Sequence, residues 1–360
     1  MKQSNTNSFS LVEAGGLASP YISMSDAEAI ELVSIRFGQN GRVTRFATEK
    51  DDTFRVDADN GQRFILKVAN PSEDVSEIDF QVGLLRHIAA FDQSIPVPRV
   101  ISDVDGNAYT TIQDDAGQQR QVRMMSYIDG TPLDSTSASA TERERVGEML
   151  GALRLATATY THQAESRVLA WDVKHLLSLY SLLDEIKDED KRKLLTSGFY
   201  RFAAMASQVE QLRTQVVHND FSKSNIVVDH DQPTFVTGII DFGDAVRTAV
   251  AIDVSTAMLN QFPRDAAQRP VDDLFAEGRD LLRGYLRVAS LTNEELALIP
   301  HLAMGRVITR ALLTLWRARL LPGNAEYILR NTEQGWAQLD WFLQRSPQQV
   351  SDTLLAGVAV

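Results

Sequence analysis

Cysteine is absent from the 360-residue chain, which excludes disulfides, thiolate zinc sites and cysteine nucleophiles. Histidine is scarce as well: the 6 residues are scattered without a single His-x-x-x-His pair, so an imidazole-rich metal centre has no foundation. Positive charge falls short, with 36 Lys and Arg against 48 Asp and Glu and a net charge of −12. Nucleic acid and anionic membranes require basic patches, so neither is expected as a partner, whereas an acidic surface suits a cationic ligand. There is no run of about 20 apolar residues, and Met1-Lys2-Gln3-Ser4-Asn5-Thr6-Asn7 has no apolar signal core. The expected location is the cytoplasm. What remains is ordinary for a globular chain, 44% hydrophobic and 23% charged, and long enough for two domains or one two-lobed domain.

The pattern changes along the chain. Residues 1–24 read as a mobile lead. Ser25-Asp26-Ala27-Glu28 is a capping box before apolar Ile30, Val33, Ile35 and Phe37, with Gly38 as the stop. Strand-type runs follow at 43–47, 53–56 and 63–68, the last two joined by the tight turn Asp59-Asn60-Gly61. A helix is predicted over 73–91, with Ile78, Val82, Leu85 and Ile88 at helical spacing. Further strands are expected near 99–102, 108–113 and 121–126. Tyr127-Ile128-Asp129-Gly130-Thr131-Pro132 reads as a crossing linker, beyond which the chain is mostly helical except between 215 and 241. The expected division is a small lobe at 25–126, a hinge at 127–132 and a larger lobe at 133–360.

The exceptional segment carries the chemistry. His218-Asn219-Asp220-Phe221-Ser222-Lys223-Ser224-Asn225 is followed by Ile240-Asp241-Phe242-Gly243-Asp244. Phosphoryl transfer needs a carboxylate at the attacking hydroxyl and oxygen ligands for the magnesium on the nucleotide phosphates; protein kinases supply them as the Asp and Asn of H-R-D-x-x-x-x-N and the Asp of D-F-G. Asp220 and Asn225 keep that interval. Between Asn225 and Asp241 two β-rich runs, 226–229 and 235–240, flank a polar turn containing Pro233, as in a hairpin. An antiparallel hairpin brings its entry and exit to the same end, so Asn225 and Asp241 can share a metal. Either Asp alone reads as a turn or cap residue; the ordered pair reads as a site. His218 is expected to brace the loop.

These residues resemble the aminoglycoside phosphotransferase and choline kinase superfamily, nearest to its hydroxylysine kinase branch. Thr48-Glu49-Lys50-Asp51-Asp52-Thr53-Phe54 is similar to the branch's nucleotide loop, and Phe64-Ile65-Leu66-Lys67-Val68-Ala69-Asn70 to its lysine strand. Ala170-Trp171-Asp172, the segment 238–248, Gly305-Arg306 and Pro322-Gly323-Asn324 to Tyr327 extend the likeness across roughly residues 25 to 345. The resemblance implies an α+β, two-lobed protein-kinase-like fold: a small antiparallel sheet with a helix, then a mostly helical lobe. It implies a small-molecule kinase that uses Mg2+ and transfers the γ-phosphate of ATP or GTP to the hydroxyl of an amino alcohol or hydroxy amino acid. Hydroxylysine, homoserine, choline, ethanolamine and aminoglycosides all fall within that range.

Residue by residue, the resemblance makes Asp220 the base at the acceptor hydroxyl, Asn225 and Asp241 the metal ligands, and Lys67 the partner of the α- and β-phosphates. Gln81 falls where a glutamate usually pairs with the lysine, with Glu77 one turn earlier as its possible substitute or simply a solvated charge. Residues 44–54 contain no glycine, so phosphate contacts are expected from Thr48, Thr53 or amides near Asp51. The missing glycines, Asn219 in place of Arg and the lack of Ala-Pro-Glu after 243 argue against a protein kinase. The nucleobase is expected at backbone groups from Ser126 to Ile128. Asp244 and Asp253, with Asp172 more distantly, are candidates for an acidic pocket holding an amine, although Asp253 also reads as a helix cap. Arg306 could meet a substrate carboxylate or form an interlobe salt bridge. The alternative from another class is a nucleotide-binding pseudokinase serving as an interaction module, for which Gln81 is the support.

Overall fold

The computed structural model describes residues 20–48, 51–263, 265–266, 268, 271–330 and 332–358. Residues 1–19 of the expected lead lie outside them. The rest of that lead is tied down: Ile22 exchanges hydrogen bonds with Gln118, and the buried Met24 donates its N–H to Asp52 at 3.0 Å.

Helix α1 (Asp26–Phe37) starts on the Ser25 hydroxyl and stops at Gly38, whose φ of 62° is left-handed. Its inner face is Ala29, Leu32, Val33 and Phe37, while Ile30 and Ile35 point to solvent, so the expected stripe is rotated toward the smaller residues. Strands β1 (Gly41–Phe46), β2 (Asp52–Ala58) and β3 (Arg63–Val68) are consecutive antiparallel neighbours, and Gly61 at φ 85° makes the β2–β3 turn. After helix α2 (Val75–Phe91), strands β4 (Val100–Ile101), β5 (Thr110–Gln113) and β6 (Gln119–Ser126) complete the sheet, ordered β1-β2-β3-β6-β4 with β5 on β6. Side chains alternate across a strand. One face therefore buries Phe54, Val56, Leu66, Val68, Val122 and Met124 with α1, and the cross-strand row Thr53, Lys67, Arg123 lies on the other.

The chain leaves the sheet at Ser126. Strand β7 (Thr131–Pro132) already belongs to the second lobe, where it pairs with Val227 and Val228. Helix α3 (Ala140–Thr157) has a capping box at Ser139, and a 3-10 stretch (Val173–Glu185) leads into α4 (Glu189–Ala203) and α5 (Ala206–Glu210). Four short strands follow: β8 (Thr214–Val217), β9 (Ile226–Val228), β10 (Val236–Ile239) and β11 (Val246–Ala249). Strands β9 and β10 form the expected antiparallel hairpin, and β11 returns beside β8. The remainder is helical: α6 (Val250–Leu259), α7 (Gly278–Val288), α8 (Asn293–Leu320), α9 (Ala325–Leu329), α10 (Glu333–Leu343) and α11 (Pro347–Leu355).

Helix α8 is long and apolar enough to cross a membrane, yet 89% of its apolar window is buried inside the protein. It is the axis of the larger lobe's core, with Leu302, Met304, Ile308 and Leu312 fully enclosed. That core reaches under the small lobe, because Phe80, Leu84 and Ile88 of α2 belong to the same buried cluster as Leu150, Phe202 and Val307. Burial of a side chain this size stabilises by about 2 kcal/mol, so α2 is held by the larger lobe as well as by its own sheet.

Candidate active site

The loop between β8 and β9 carries His218 to Asn225, and its shape depends on a distant carboxylate. Asn219 has φ 64°, a left-handed conformation that Asn tolerates better than most L-residues. Its N–H donates to Asp253 Oδ1 on α6 at 2.8 Å. Asp253 is only 4% exposed, and burial pushes its carboxyl pKa up. It is therefore a brace for the loop's backbone, neither a surface for an amine nor a simple helix cap. His218 is the second brace. Its Nδ1 accepts the Asp220 N–H at 3.3 Å, so the proton sits on Nε2, which donates to the Ile240 carbonyl at 3.0 Å. The ring packs on Phe242 with centroids 4.6 Å apart. The loop and the segment that follows β10 are thus joined through one imidazole, in the bracing role expected from the sequence.

Asp220 projects from this loop with 32% of its side chain exposed. One carboxylate oxygen accepts from Asn225 Nδ2 at 2.8 Å, the other from Arg306 Nη2 at 3.2 Å. Burial raises its pKa against the opposing pull of Arg306. Arg306, on α8, is itself held by a hydrogen bond to the Trp171 carbonyl and lies over the Trp171 ring, 5.2 Å from its centroid. Its task is to orient Asp220, which leaves it little freedom to receive a substrate carboxylate.

The hairpin delivers the second pair. The Asn225 carbonyl accepts the Ile240 N–H at 2.9 Å, placing Asp241 one residue beyond Asn225's partner, as antiparallel pairing requires. Asp241 is left-handed at φ 60°, and its carboxylate lies 3.3 Å from Lys67 Nζ. The ammonium holds the Asp241 carboxyl below the usual range. Asn225 spends its amide N–H groups on Asp220, by which its Oδ1 is the atom suited to a cation. Among the described residues no group of three or more His, Cys, Asp or Glu could hold a metal. Magnesium at nucleotide sites needs no such cage, taking one or two protein oxygens plus phosphates and water, so Asn225 and Asp241 fit it.

Asp244, half-buried, completes the acidic side. Burial and the neighbouring Asp220 push its pKa up to about 6, with Arg306 and Arg167 pulling the other way. No hydrogen bond to its carboxylate occurs among the described residues. Asp172 does not join this group: it is 1% exposed, caps the 3-10 stretch through the Lys174 N–H and accepts from Thr248 Oγ1 at 3.1 Å. The sequence-based candidate was a buried cap.

The small-lobe partners also differ from expectation. Gln81 accepts from Arg123 Nη2 at 2.9 Å, and Glu77 pairs with Arg167 Nη1 at 2.8 Å, so neither meets Lys67. Arg123, the cross-strand neighbour of Lys67, is buried between the Gln81 amide oxygen and the Asp51 carboxylate, 3.9 Å from its Nη2. Arg123 was missed by sequence reasoning, although its strand register with Lys67 was in principle available. Thr53, across from Lys67 on β2, has a buried hydroxyl with no hydrogen-bond partner among the described residues. Thr48 is exposed and donates to the Asp51 carbonyl; Asp51 caps the Asn70 N–H at 3.3 Å. Residues 49–50 of the nucleotide loop lie outside the described residues. At the hinge, Ser126 is held by Arg99: its N–H donates to the Arg99 carbonyl at 2.8 Å, which removes that N–H as a nucleobase donor, and its hydroxyl accepts the Arg99 N–H at 2.9 Å. Ile128 packs on Gly238 of β10, where a Cβ would come within 2.5 Å of its methyl. A separate hollow of about 950 Å³, lined by Arg201, Met205, His301 and Ser351, holds none of these residues.

The chain is similar to known proteins. The pattern of the phosphotransferase enzyme family, APH, matches residues 42–291. Hydroxylysine kinase of Mus musculus is 21% identical over 352 residues, covering 91% of this chain and 92% of the relative. Homoserine kinase of Rhodospirillum rubrum is 27% identical over 266 residues, covering 74% and 76%. Among solved structures, a microcompartment-associated aminopropanol kinase superposes with a TM-score of 0.70 at 19% identity, covering 89% of this chain and 98% of its own. That likeness shows the two-lobed kinase-like fold.

Proposed function

Because the chain belongs to the phosphotransferase enzyme family and is a small-molecule kinase acting on a hydroxyl group with a nucleotide as donor, we propose that its acceptor is an amino alcohol or hydroxy amino acid, phosphorylated in the cytoplasm from ATP or GTP. Asp220 takes the acceptor's hydroxyl proton. The oxygen forms its bond to the γ-phosphorus as the bond to the bridging oxygen breaks, and the nucleoside diphosphate leaves. Asn225 and Asp241 would hold the magnesium, which would supply charge neutralisation on the phosphates. Lys67 reaches the same phosphates from β3, and Arg123 adds a second cation on its row. Transfer of this kind relies on positioning and electrostatics.

The observation that carries this reading is the grip on Asp220: Asn225 on one oxygen and Arg306 on the other, with the loop's backbone fixed from behind by Asp253. A carboxylate so constrained has its reactive edge aimed rather than rotating. The choice of an amine-bearing acceptor is supported by Asp244, a carboxylate beside Asp220 that has no hydrogen-bond donor among the described residues. The names of the relatives, which include kinases of hydroxylysine, homoserine and aminopropanol, point to the same class. Gln81, which alone favoured a pseudokinase, has a structural task at Arg123 and no longer supports that reading.

The test is nucleoside diphosphate release with ATP and with GTP over a panel of amino alcohols, hydroxy amino acids and their deaminated analogues. Stimulation by the amines and none by the analogues is expected, with Asp244→Asn raising the acceptor KM. Equal turnover of amines and deaminated analogues would overturn the amine assignment.

A further inference from the structure

Protein kinases fasten their helix to the active site by pairing one of its glutamates with the strand lysine. Among the described residues Lys67 makes no such pair, and α2 is instead connected to the segment after Asp241. Between α3 and the 3-10 stretch, residues 159–167 run along α2. The Tyr160 hydroxyl donates to the Phe80 carbonyl at 2.8 Å, His162 Nε2 lies 3.1 Å from Asp79, and the Thr159 hydroxyl 3.2 Å from His87. Gly83 makes the approach possible, since a Cβ there would come within 2.5 Å of the Tyr160 oxygen.

The other edge of the same segment grips residues 243–247. Arg167, with 7% of its side chain exposed, donates Nη1 to Glu77 of α2 at 2.8 Å. Its remaining donors go to backbone carbonyls: Nε to Ala245 at 3.0 Å, and Nη2 to Ala245 at 2.7 Å and to Gly243. Glu165 holds Arg247 twice over, its carbonyl accepting the Arg247 N–H and its carboxylate the Arg247 Nε, each at 2.7 Å. One guanidinium therefore touches both the helix and the loop that begins at Asp241. A planar fork of fixed donors can do this; a lysine's single ammonium cannot.

We propose that residues 159–167 form a strap that sets the metal-bearing loop by fastening it to α2, with Arg167 as the positioning residue in place of a lysine–carboxylate pair. Its relevance to catalysis rests on the phosphoryl-transfer reading above; the fastening itself does not. Lys67 is then free of α2 and engages Asp241 directly, and Glu77, which the sequence left between a lysine partner and a solvated charge, becomes the strap's contact on the helix.

Two readouts on the full chain test this. Amide hydrogen exchange at Ala245 and Arg247 should accelerate about tenfold in Arg167→Gln, in keeping with loss of charge-assisted hydrogen bonds, while β1 to β3 keep their protection. In turnover assays Arg167→Gln should raise the magnesium concentration for half-maximal rate about tenfold and lower kcat with the acceptor KM unchanged. Arg167→Lys should not rescue either value. Glu77→Gln, which keeps the fold's buried atoms intact, should show a smaller shift in the same direction, and the double variant should match Arg167→Gln alone. Unaltered exchange at Ala245 and Arg247 in both single variants, or additive effects in the double, would overturn the strap. Should no acceptor be phosphorylated while exchange still accelerates, the functional reading fails and the strap stands.

Discussion

The hairpin region, residues 218–244, and the helix α2 region differ in how their residues acquire roles. In the hairpin, Asp220, Asn225 and Asp241 are set by short-range geometry: a five-residue interval, a tight antiparallel turn and one backbone hydrogen bond from Ile240 to Asn225. On α2, Glu77 and Gln81 sit one turn apart with similar surroundings in sequence, and what each does is decided by arginines 90 and 42 positions away. Local constraints fix a site's chemistry here, while remote partners fix how the site is held.

Substitutions can break or sharpen that contrast. The largest effect is expected at Asp220: Asp220→Ala should lower kcat by about 10²–10⁴ with nucleotide binding retained, and undiminished turnover would remove it from the mechanism. Next comes Asp253→Ala, which strands the buried Asn219 N–H and so costs about 2 kcal/mol of stability, with a fall in kcat beyond what the lost stability explains. Chemical denaturation alongside kinetics separates the two; a variant with parental kcat would make Asp253 a purely structural residue.

An effect of similar size should come from acid, far from both regions. His301 is 3% exposed on α8, and burial with the nearby Arg201 lowers its pKa to about 4 from 6.5. The unfolded chain then binds more protons between those values, so stability is full above about pH 6.5 and is lost as pH falls toward 4. At pH 5 the loss is about 2 kcal/mol, and thermal melts of His301→Gln should show a shallower decline between pH 7 and 5. A parallel decline in parent and variant would assign the acid sensitivity elsewhere. The smallest effect is expected from Gln81→Glu. If Gln81 serves Arg123, the new carboxylate pairs with that buried guanidinium and nucleotide affinity should change by less than about threefold; a gain of about tenfold would restore it as the lysine's partner.

The same contrast explains what the sequence made legible. Helix α1 has the cap and stop read from Ser25 and Gly38, β3 begins and ends where its pattern does, and the hairpin joins Asn225 to Asp241 as its turn demands, because each depends on neighbours within a few residues. Asp172 and Asp253 were read as acceptor candidates because a carboxylate's chemistry is visible in sequence and its burial is not. Arg306 was visible as a charge near the end of the chain, but only the path of α8 through the core brings it to Asp220. Arg123 could have been found by counting along β6 from its pairing with β3. Arg167 carried no signal of any kind: besides Glu77, 90 positions away, its partners are two carbonyls, and carbonyls are everywhere.

The central claim is that Asp241, beside Asn225, binds the metal of a nucleotide complex, and calorimetric titration of nucleotide with and without Mg2+ tests it most directly. The account predicts magnesium-dependent binding by the parent chain and its loss in Asp241→Ala. Binding by Asp241→Ala with the parent's affinity and the parent's magnesium dependence would contradict it.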